Sequence, residues 1–189
     1  KNDEFGIKAR TTNYSPTGYL NKKGCSPLYD NIQENVPAPH YPWPVIRMAE
    51  LYLNLAEAEA NLGNIDSAVE ALKPVRKRAG LPSVDAAFAT AGLTLDKAAM
   101  IRMAKQERTV ELYLEGHRFW DVRRWKEGEK YFNHRPKGMN FDGESDAEFF
   151  RVTEIIVQRK FSTPMNYLMP IPKDDINKNE SKFVQNPGY

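Results

Sequence analysis

The sequence predicts a mainly α-helical fold, in which pairs of helices are flanked by long irregular loops with little strand. Apolar residues recur every three or four positions between residues 45 and 126, the period of a helix that packs on one face. Proline and glycine interrupt any such period in residues 1–44, and residues 127–189 are polar and broken by the same residue types. We therefore expect one domain with a loop-rich start (1–44), a helical core (45–126) and an extended C-terminal segment (127–189).

The first predicted helix begins near residue 45 and ends at Gly63, because glycine suits the left-handed position after a helix. Pro44 lies at its start, where the missing N–H costs nothing. The apolar face predicted for this helix comprises Val45, Met48, Ala49, Tyr52, Leu55, Ala56 and Leu62.

The second predicted helix follows almost at once and ends near Gly80. Asn64 or Asp66 is expected to cap its start. Its apolar stripe is predicted to contain Ala68, Leu72 and Val75. Pro74 lies inside it and removes one intrahelical hydrogen bond, so we expect a kink or a 3₁₀ turn there.

These two helices resemble a tetratricopeptide unit. Ala56 and Ala68 are small residues on either side of the turn at Gly63, where they let two helices approach closely. A solenoid needs about three such repeats to bury its faces, whereas this chain offers one clear unit and a weaker pair at residues 95–125. We therefore expect that further helices of the fold lie on the N-terminal side and are absent from this chain.

The third predicted helix starts near Thr94, the expected N-cap, with Asp96 in its first turn, where the helix dipole favours an acid. Gly116 is expected to break or bend it. A shorter helix then continues from about His117 to Lys126.

The composition excludes several classes of function. With 27 Lys and Arg against 25 Asp and Glu, the net charge of +2 creates no global field for nucleic acid. The single cysteine, Cys25, forms no internal disulfide and belongs to no zinc motif. The three histidines (His40, His117 and His134) have no nucleophile partner in a recognised motif. We therefore predict no catalytic residue, no metal site and no cofactor.

The segment "ERTVELYLEGHRFWDVRRW", residues 107–125, has three possible interpretations: a carboxylate-rich active site, a nucleic-acid surface or a structural helix. Three glutamates four residues apart share one helix face, but the E-x-x-H pattern of di-metal sites is absent. Arginines nearby provide counter-ions, so we favour an ion-pair network that fixes the bend at Gly116. The predicted network comprises Arg47, Glu50, Glu107, Arg108, Glu111, Glu115, Arg118 and Asp121.

Basic and aromatic residues alternate in "HRFWDVRRWK", as they do on surfaces that stack nucleic-acid bases. Phe119, Val122 and Trp125 are spaced by three, however, which predicts core anchors more strongly than an exposed platform.

An aromatic and proline-rich loop precedes the first helix. Its rings could stack on the apolar faces of sugars, or they could pack onto the helices. The candidate ligand-binding residues in this loop are Tyr29, His40, Tyr41 and Trp43.

Four motifs together resemble those of the SusD/RagB outer-membrane nutrient-binding proteins. They are "YPWPVIRMAELYLNLAEAEANLG", "VRKRAGLP", "ERTVELYLEGHRFWDVRRW" and "YLMPIPKDDINKNESKFVQNPGY". Their order and spacing agree with the family from about residue 17 to Tyr189.

The resemblance implies a SusD-like fold and a lipoprotein on the outer-membrane surface that binds a glycan without catalysis. It also implies delivery to a SusC-like TonB-dependent transporter, and a lipid anchor on the N-terminal half of the family fold, which this chain lacks. No cofactor and no nucleic acid are implied. The alternative is a helical-repeat module for protein–protein interaction without glycan binding, and a glycoside hydrolase is a third possibility.

Overall fold

The computed structural model describes residues 15, 17–24, 44–140, 142–155, 159–179 and 182–189. The chain divides into two compact units. The helical unit is Tyr29–Arg118, and the C-terminal unit combines Lys1–Leu28 with Phe119–Tyr189. Within the described ranges there are eight α-helices and one two-stranded sheet, so the predicted mainly α fold is confirmed.

The helical unit contains α1 (Met48–Leu62), α2 (Ile65–Arg78), α3 (Val84–Thr90) and α4 (Lys97–Glu111). A fifth helix, α5 (His117–Arg124), contains the boundary between the two units. The four helices predicted from periodicity are all present. The seven-residue α3 was not predicted, because two turns are too short to show a clear period.

The first two helices form a close pair. As predicted, α1 ends at Gly63, which has a φ of 90°, and the Asn64 N–H donates to the Glu59 carbonyl at 2.9 Å. Only these two residues, Gly63 and Asn64, separate α1 from α2, so the helices run antiparallel. Small side chains at Ala56 and Ala68, both fully buried, line this pair.

The buried face of α1 differs in part from the predicted one. It carries Ala49, Leu53, Ala56, Glu57 and Ala60. The prediction was wrong for four exposed residues, Val45, Met48, Leu55 and Leu62. The helix has two apolar stripes, and a count of apolar spacings alone merged them into one.

In α2 the predicted stripe of Ala68, Leu72 and Val75 is buried. The residues around Pro74 are all α-helical, so the alternative of a 3₁₀ turn was wrong. The proline leaves the carbonyl of Glu70 without its helical donor. Because Glu70 is exposed, water can satisfy that carbonyl and the helix continues.

The N-cap of α4 is Asp96 and not Thr94, so that prediction was wrong. The Asp96 carboxylate accepts the N–H of Ala99 at 2.7 Å, which satisfies one of the orphan donors of the first turn. The helix ends at Glu111, and Gly116, with a φ of 83°, lies in the break before α5, as predicted.

The core of the helical unit is built from short apolar side chains. α1 packs on both α2 and α4. The core cluster consists of Leu53, Ala56, Ala60, Ala68, Val69, Ala71, Leu72, Val84, Met100 and Leu112. None of the helices in the described ranges is long and apolar enough to cross a lipid bilayer.

The segment 127–189, which we expected to be extended, contains several short elements. They are α6 (Gly128–Phe132), α7 (Asp146–Phe149), α8 (Lys173–Lys178), a 3₁₀ turn (Met165–Tyr167), β1 (Lys137–Met139) and β2 (Val152–Glu154). The two strands pair antiparallel, with Gly138 opposite Thr153. Local capping stabilises such short helices: Ser145 and Glu148 form a capping box around the start of α7.

Phe161 anchors the C-terminal unit. Its ring is buried over Gly128, where a Cβ atom would lie 2.4 Å from the ring. The Asn133 side chain holds the Phe161 backbone on both sides, accepting its N–H at 2.6 Å and donating to its carbonyl at 3.0 Å. The rings of Phe132 and Tyr167 complete the cluster, with centroids 6.0 and 4.7 Å from that of Phe161.

Candidate functional site

The loop aromatics predicted to bind ligand, Tyr29, His40, Tyr41 and Trp43, lie outside the described residues. The described residues contain a second candidate, which we name the charged cluster. It joins the start of α1, the end of α2 and the end of α4 within the helical unit. Its members are Arg47, Arg76, Arg78, Glu107, Glu111 and Glu115.

Arg47 lies at the centre of the charged cluster. Its Nε and Nη2 donate to the two carboxylate oxygens of Glu115 at 2.7 and 2.6 Å, a bidentate arrangement. Its Nη1 donates to the Glu111 carboxylate at 2.5 Å, and Nη2 also reaches the Glu111 backbone carbonyl at 2.7 Å. One guanidinium thus ties the residue before α1 to the last residue of α4 and the loop that follows it.

The electrostatics of these groups favour their charged forms. The bidentate hydrogen bonds to Glu115 raise the pKa of Arg47 above its ordinary value, although partial burial opposes the change. Burial raises the pKa of Glu111, but hydrogen bonds from Arg78 and Arg47 outweigh burial and hold that pKa below its usual range. Arg47 and Glu111 therefore remain charged at neutral pH.

Two arginines of α2 complete the cluster. Arg78 contacts the Glu111 carboxylate at 2.5 Å. Arg76 is buried, bonds Glu107, and donates from Nε to the Pro82 carbonyl at 2.6 Å. The sequence prediction missed both arginines, because their partners lie more than thirty positions along the chain and no local spacing links them. The packing of α2 against α4 brings them together.

Two further residues of the predicted network, Glu50 and Arg108, contact residues outside the charged cluster. Glu50 on α1 lies 3.7 Å from the Nε2 atom of His117. Arg108 is buried and donates to the side chain of Asn54 on α1. Each of these contacts joins α1 to α4 or to α5 within the helical unit.

The remaining two predicted network residues lie on α5, one in each unit. In the helical unit, Arg118 donates to the hydroxyl of Thr109 at 3.0 Å. In the C-terminal unit, Asp121 is buried and accepts from Arg124, three residues later on the same helix, at 2.9 Å.

The geometry of the charged cluster suits a structural role better than chemistry. Guanidinium groups occupy the carboxylates of Glu107, Glu111 and Glu115, which leaves them poorly placed to exchange protons with a substrate. Among the described side chains, no group of three or more His, Cys, Asp or Glu residues converges as metal ligands do. The arrangement can fix the relative positions of three helices.

Only one of the three residues predicted as core anchors, Phe119, Val122 and Trp125, is fully buried. Val122 is fully buried, as predicted, but Phe119 is 37% exposed and Trp125 is partly exposed. The core prediction was therefore wrong for Phe119. Its ring meets Trp120 edge to face at 4.9 Å, and the Arg123 guanidinium lies 3.5 Å from its centroid. The cation stacks on the ring face and removes part of it from water.

Comparison with known proteins tests the resemblance of the four motifs. The sequence profile of the SusD family matches residues 3–189. The chain belongs to the SusD family. SusD-like protein P2 of Formosa agariphila is 30% identical over 148 residues, which cover 76% of this chain and 25% of that protein.

Solved structures of relatives agree with the fold described above. The structure of selenomethionine BT4246 shares 36% sequence identity with a TM-score of 0.78, covering 94% of this chain and 30% of its own. A SusD-like protein from Bacteroides fragilis, BF3747, shares 32% identity with a TM-score of 0.62, over 79% of this chain and 28% of its own. The predicted SusD-like fold is therefore confirmed, and the chain spans between a quarter and a third of the length of these relatives.

Proposed function

We propose that this SusD-family chain is part of a non-catalytic nutrient-binding lipoprotein on the outer-membrane surface, which captures a glycan and delivers it to a SusC-like TonB-dependent transporter. The observation that carries the proposal is the family match over residues 3–189, together with the agreement of the fold with BT4246 at 36% identity.

The charged cluster is not arranged as a glycoside hydrolase requires. A glycoside hydrolase needs two carboxylates about 5 to 10 Å apart beside a sugar-sized cleft, one of them poised to give up a proton. The glutamates of the charged cluster are instead held in ion pairs with Arg47, Arg76 and Arg78. Aromatic side chains on loops provide what a neutral sugar needs, a flat apolar surface beside hydrogen-bonding groups.

Calorimetric titration of the natural full-length protein against a panel of polysaccharides tests the proposal. We expect binding to at least one polysaccharide and weaker binding, by roughly tenfold, for Trp43→Ala or Tyr41→Ala, since one stacked ring is worth about 1–2 kcal/mol. Tyr113→Ala is the matched control, because that ring is exposed in the helical unit but was not predicted to touch ligand. Wild-type protein that binds no polysaccharide would contradict the proposal.

Two further measurements separate the proposal from its alternatives. Release of reducing sugar by the pure protein would favour a hydrolase instead. Two results together would favour a helical-repeat interaction module. The protein would bind a protein partner even with Trp43 and Tyr41 both replaced by alanine, and calorimetry would detect no binding of any polysaccharide.

A further inference from the structure

A groove lies beside the C-terminal half of α2 in the helical unit. Its volume is about 470 Å³, which is within the range of sites that hold small ligands. None of the residues that line it was predicted from the sequence to bind a ligand. They are Lys73, Pro74, Arg76 and Lys77 of α2, and Leu81 and Ser83 from the loop between α2 and α3.

The floor of the groove is mostly apolar. The Pro74 ring is exposed, and the Leu81 side chain is 48% exposed. Lys73 and Lys77 add the methylene chains that carry their ammonium groups. Among the described residues, no aromatic ring, side-chain amide or carboxylate lines the groove. Such a floor suits an apolar side chain better than a sugar ring, whose hydroxyl groups need hydrogen-bond partners.

Two of the three cations that line the groove already have acidic partners. Lys73 forms an ion pair with Glu70, and Asp85 also interacts with it. Arg76 bonds Glu107 through Nη1 and donates from Nε to a backbone carbonyl at 2.6 Å. Within the described ranges its Nη2 makes no hydrogen bond, so two N–H donors of this guanidinium remain available.

Lys77 is the third cation, and its charge is not matched. Its side chain is exposed and forms no hydrogen bond or ion pair with any residue that the structure describes. Lys77 and Arg76 are adjacent on α2 and line the same groove. The Lys77 ammonium and the Nη2 of Arg76 thus provide charged donors for one carboxylate beside an apolar floor.

We propose that this groove is a docking site for an acidic peptide segment of a protein partner, in which an apolar side chain adjoins an Asp or Glu carboxylate. The apolar side chain covers Pro74 and Leu81, and the carboxylate pairs with Lys77 and Arg76. Burial of apolar area provides the affinity, and the unmatched positive charge selects an acidic segment over a basic one. The groove uses none of the aromatic residues proposed to bind glycan, so the two interactions are independent.

Calorimetric titration of the natural full-length protein with three acetylated and amidated pentapeptides tests the proposal. Leu-Asp-Leu-Glu-Leu has both required features, Leu-Asn-Leu-Gln-Leu lacks the charge, and Ala-Asp-Ala-Glu-Ala lacks the large apolar side chains. We expect the first peptide to bind at least tenfold more tightly than either of the others, and more weakly as salt is added. No binding of the first peptide, or equal binding of the uncharged one, would overturn the proposal.

Variants at exposed lysines test whether the peptide binds in the groove. Lys77→Ala should weaken binding of the acidic peptide at least fivefold without changing the Tm, whereas Lys77→Arg, which keeps the charge, should bind as wild type does. Lys97→Ala removes an exposed lysine from α4 and is the matched control, with no expected effect. Equal losses for Lys77→Ala and Lys97→Ala would indicate attraction by net charge alone and would overturn the proposal.

An acidic sugar is the competing occupant of the groove. Trigalacturonic acid carries carboxylates on sugar rings and is titrated against the same variants. We expect it to bind Lys77→Ala as it binds wild type. Binding of this sugar that is lost in Lys77→Ala, with no binding of the acidic peptide, would assign the groove to an acidic glycan and would overturn the proposal.

Discussion

The two units of this protein are stabilised in different ways. The helical unit buries small apolar side chains between helices, and the charged cluster joins its helix ends. The C-terminal unit has short elements and relies on side-chain amides that bond to the backbone. Gln185 pairs with Ile171 through two hydrogen bonds of 2.8 Å, and Asn133 does the same for Phe161. The apolar packing of the helical unit follows a pattern that repeats along the sequence. The hydrogen bonds of the C-terminal unit depend on single residues.

The largest effect is expected in the core of the helical unit. Leu53 is fully buried between helices. Leu53→Ala removes its apolar area and leaves a cavity, so we expect the free energy of unfolding to fall by about 3 kcal/mol. Urea unfolding measures this change, and Leu93→Ala, at an exposed position, should change stability by less than about 0.5 kcal/mol. Equal effects of the two variants would contradict the assignment of Leu53 to the core.

A slightly smaller effect is expected in the charged cluster. Arg47→Ala leaves two partly buried carboxylates, Glu111 and Glu115, without their shared cation. Because the groups are only partly buried, we expect a loss of about 2 kcal/mol, below the range for fully buried pairs. Arg102→Ala, an exposed arginine on α4, is the control and should have little effect. A loss that did not exceed that of Arg102→Ala would show that the cluster contributes nothing to stability.

The C-terminal unit should be more sensitive to single polar residues. Asn133→Ala removes both hydrogen bonds to the backbone of Phe161, and we expect a loss of about 1–2 kcal/mol. Asn177→Ala, on the exposed side of α8, is the matched control. Chemical denaturation compares the two variants. If both variants changed stability equally, the two hydrogen bonds from the Asn133 side chain would not be what holds Phe161.

The smallest effect is a dependence on pH. The pKa of Glu111 is lower in the folded protein than its ordinary value of 4.5. Its ion pairs therefore stabilise the fold fully above about pH 4.5, and this contribution is lost as the pH falls through the folded pKa. Glu111→Gln should cost about 1 kcal/mol at neutral pH and should make stability fall less steeply below pH 4.5. An unchanged acid profile would contradict the ion pairing of Glu111.

The two units also differ in how far the sequence predicted them. Periodicity located α1, α2, α4 and α5. Gly63 marked the end of α1 correctly, and Gly116 marked the break between α4 and α5. It did not separate the two stripes of α1, since apolar spacing shows that a face packs but not what it packs against. The hydrogen bonds from the Asn133 side chain to Phe161 could not be predicted from the sequence, because the partner lies 28 residues away and is a backbone group.

The sequence predicted only part of the charged cluster, because spacing along one helix shows local neighbours and not contacts between helices. The spacing of Glu107, Glu111 and Glu115 predicted a shared helix face. Glu107 and Glu111 do lie on α4, but Glu115 lies in the loop that follows it. Arg76 and Arg78 reach Glu107 and Glu111 because α2 packs on α4. Residue spacing within one helix does not show how two helices pack. The predicted ligand residues Tyr29, His40, Tyr41 and Trp43 remain a prediction.

We propose that the charged cluster holds the helices in place and that the proposed glycan ligand binds elsewhere in the full-length protein. The most direct test of this central claim pairs thermal unfolding with calorimetry on full-length Glu115→Gln, using the polysaccharide that binds wild type most tightly. The claim predicts a lower Tm with a Kd within about twofold of wild type at a temperature where both are folded. An unchanged Tm with a Kd at least tenfold weaker would contradict it.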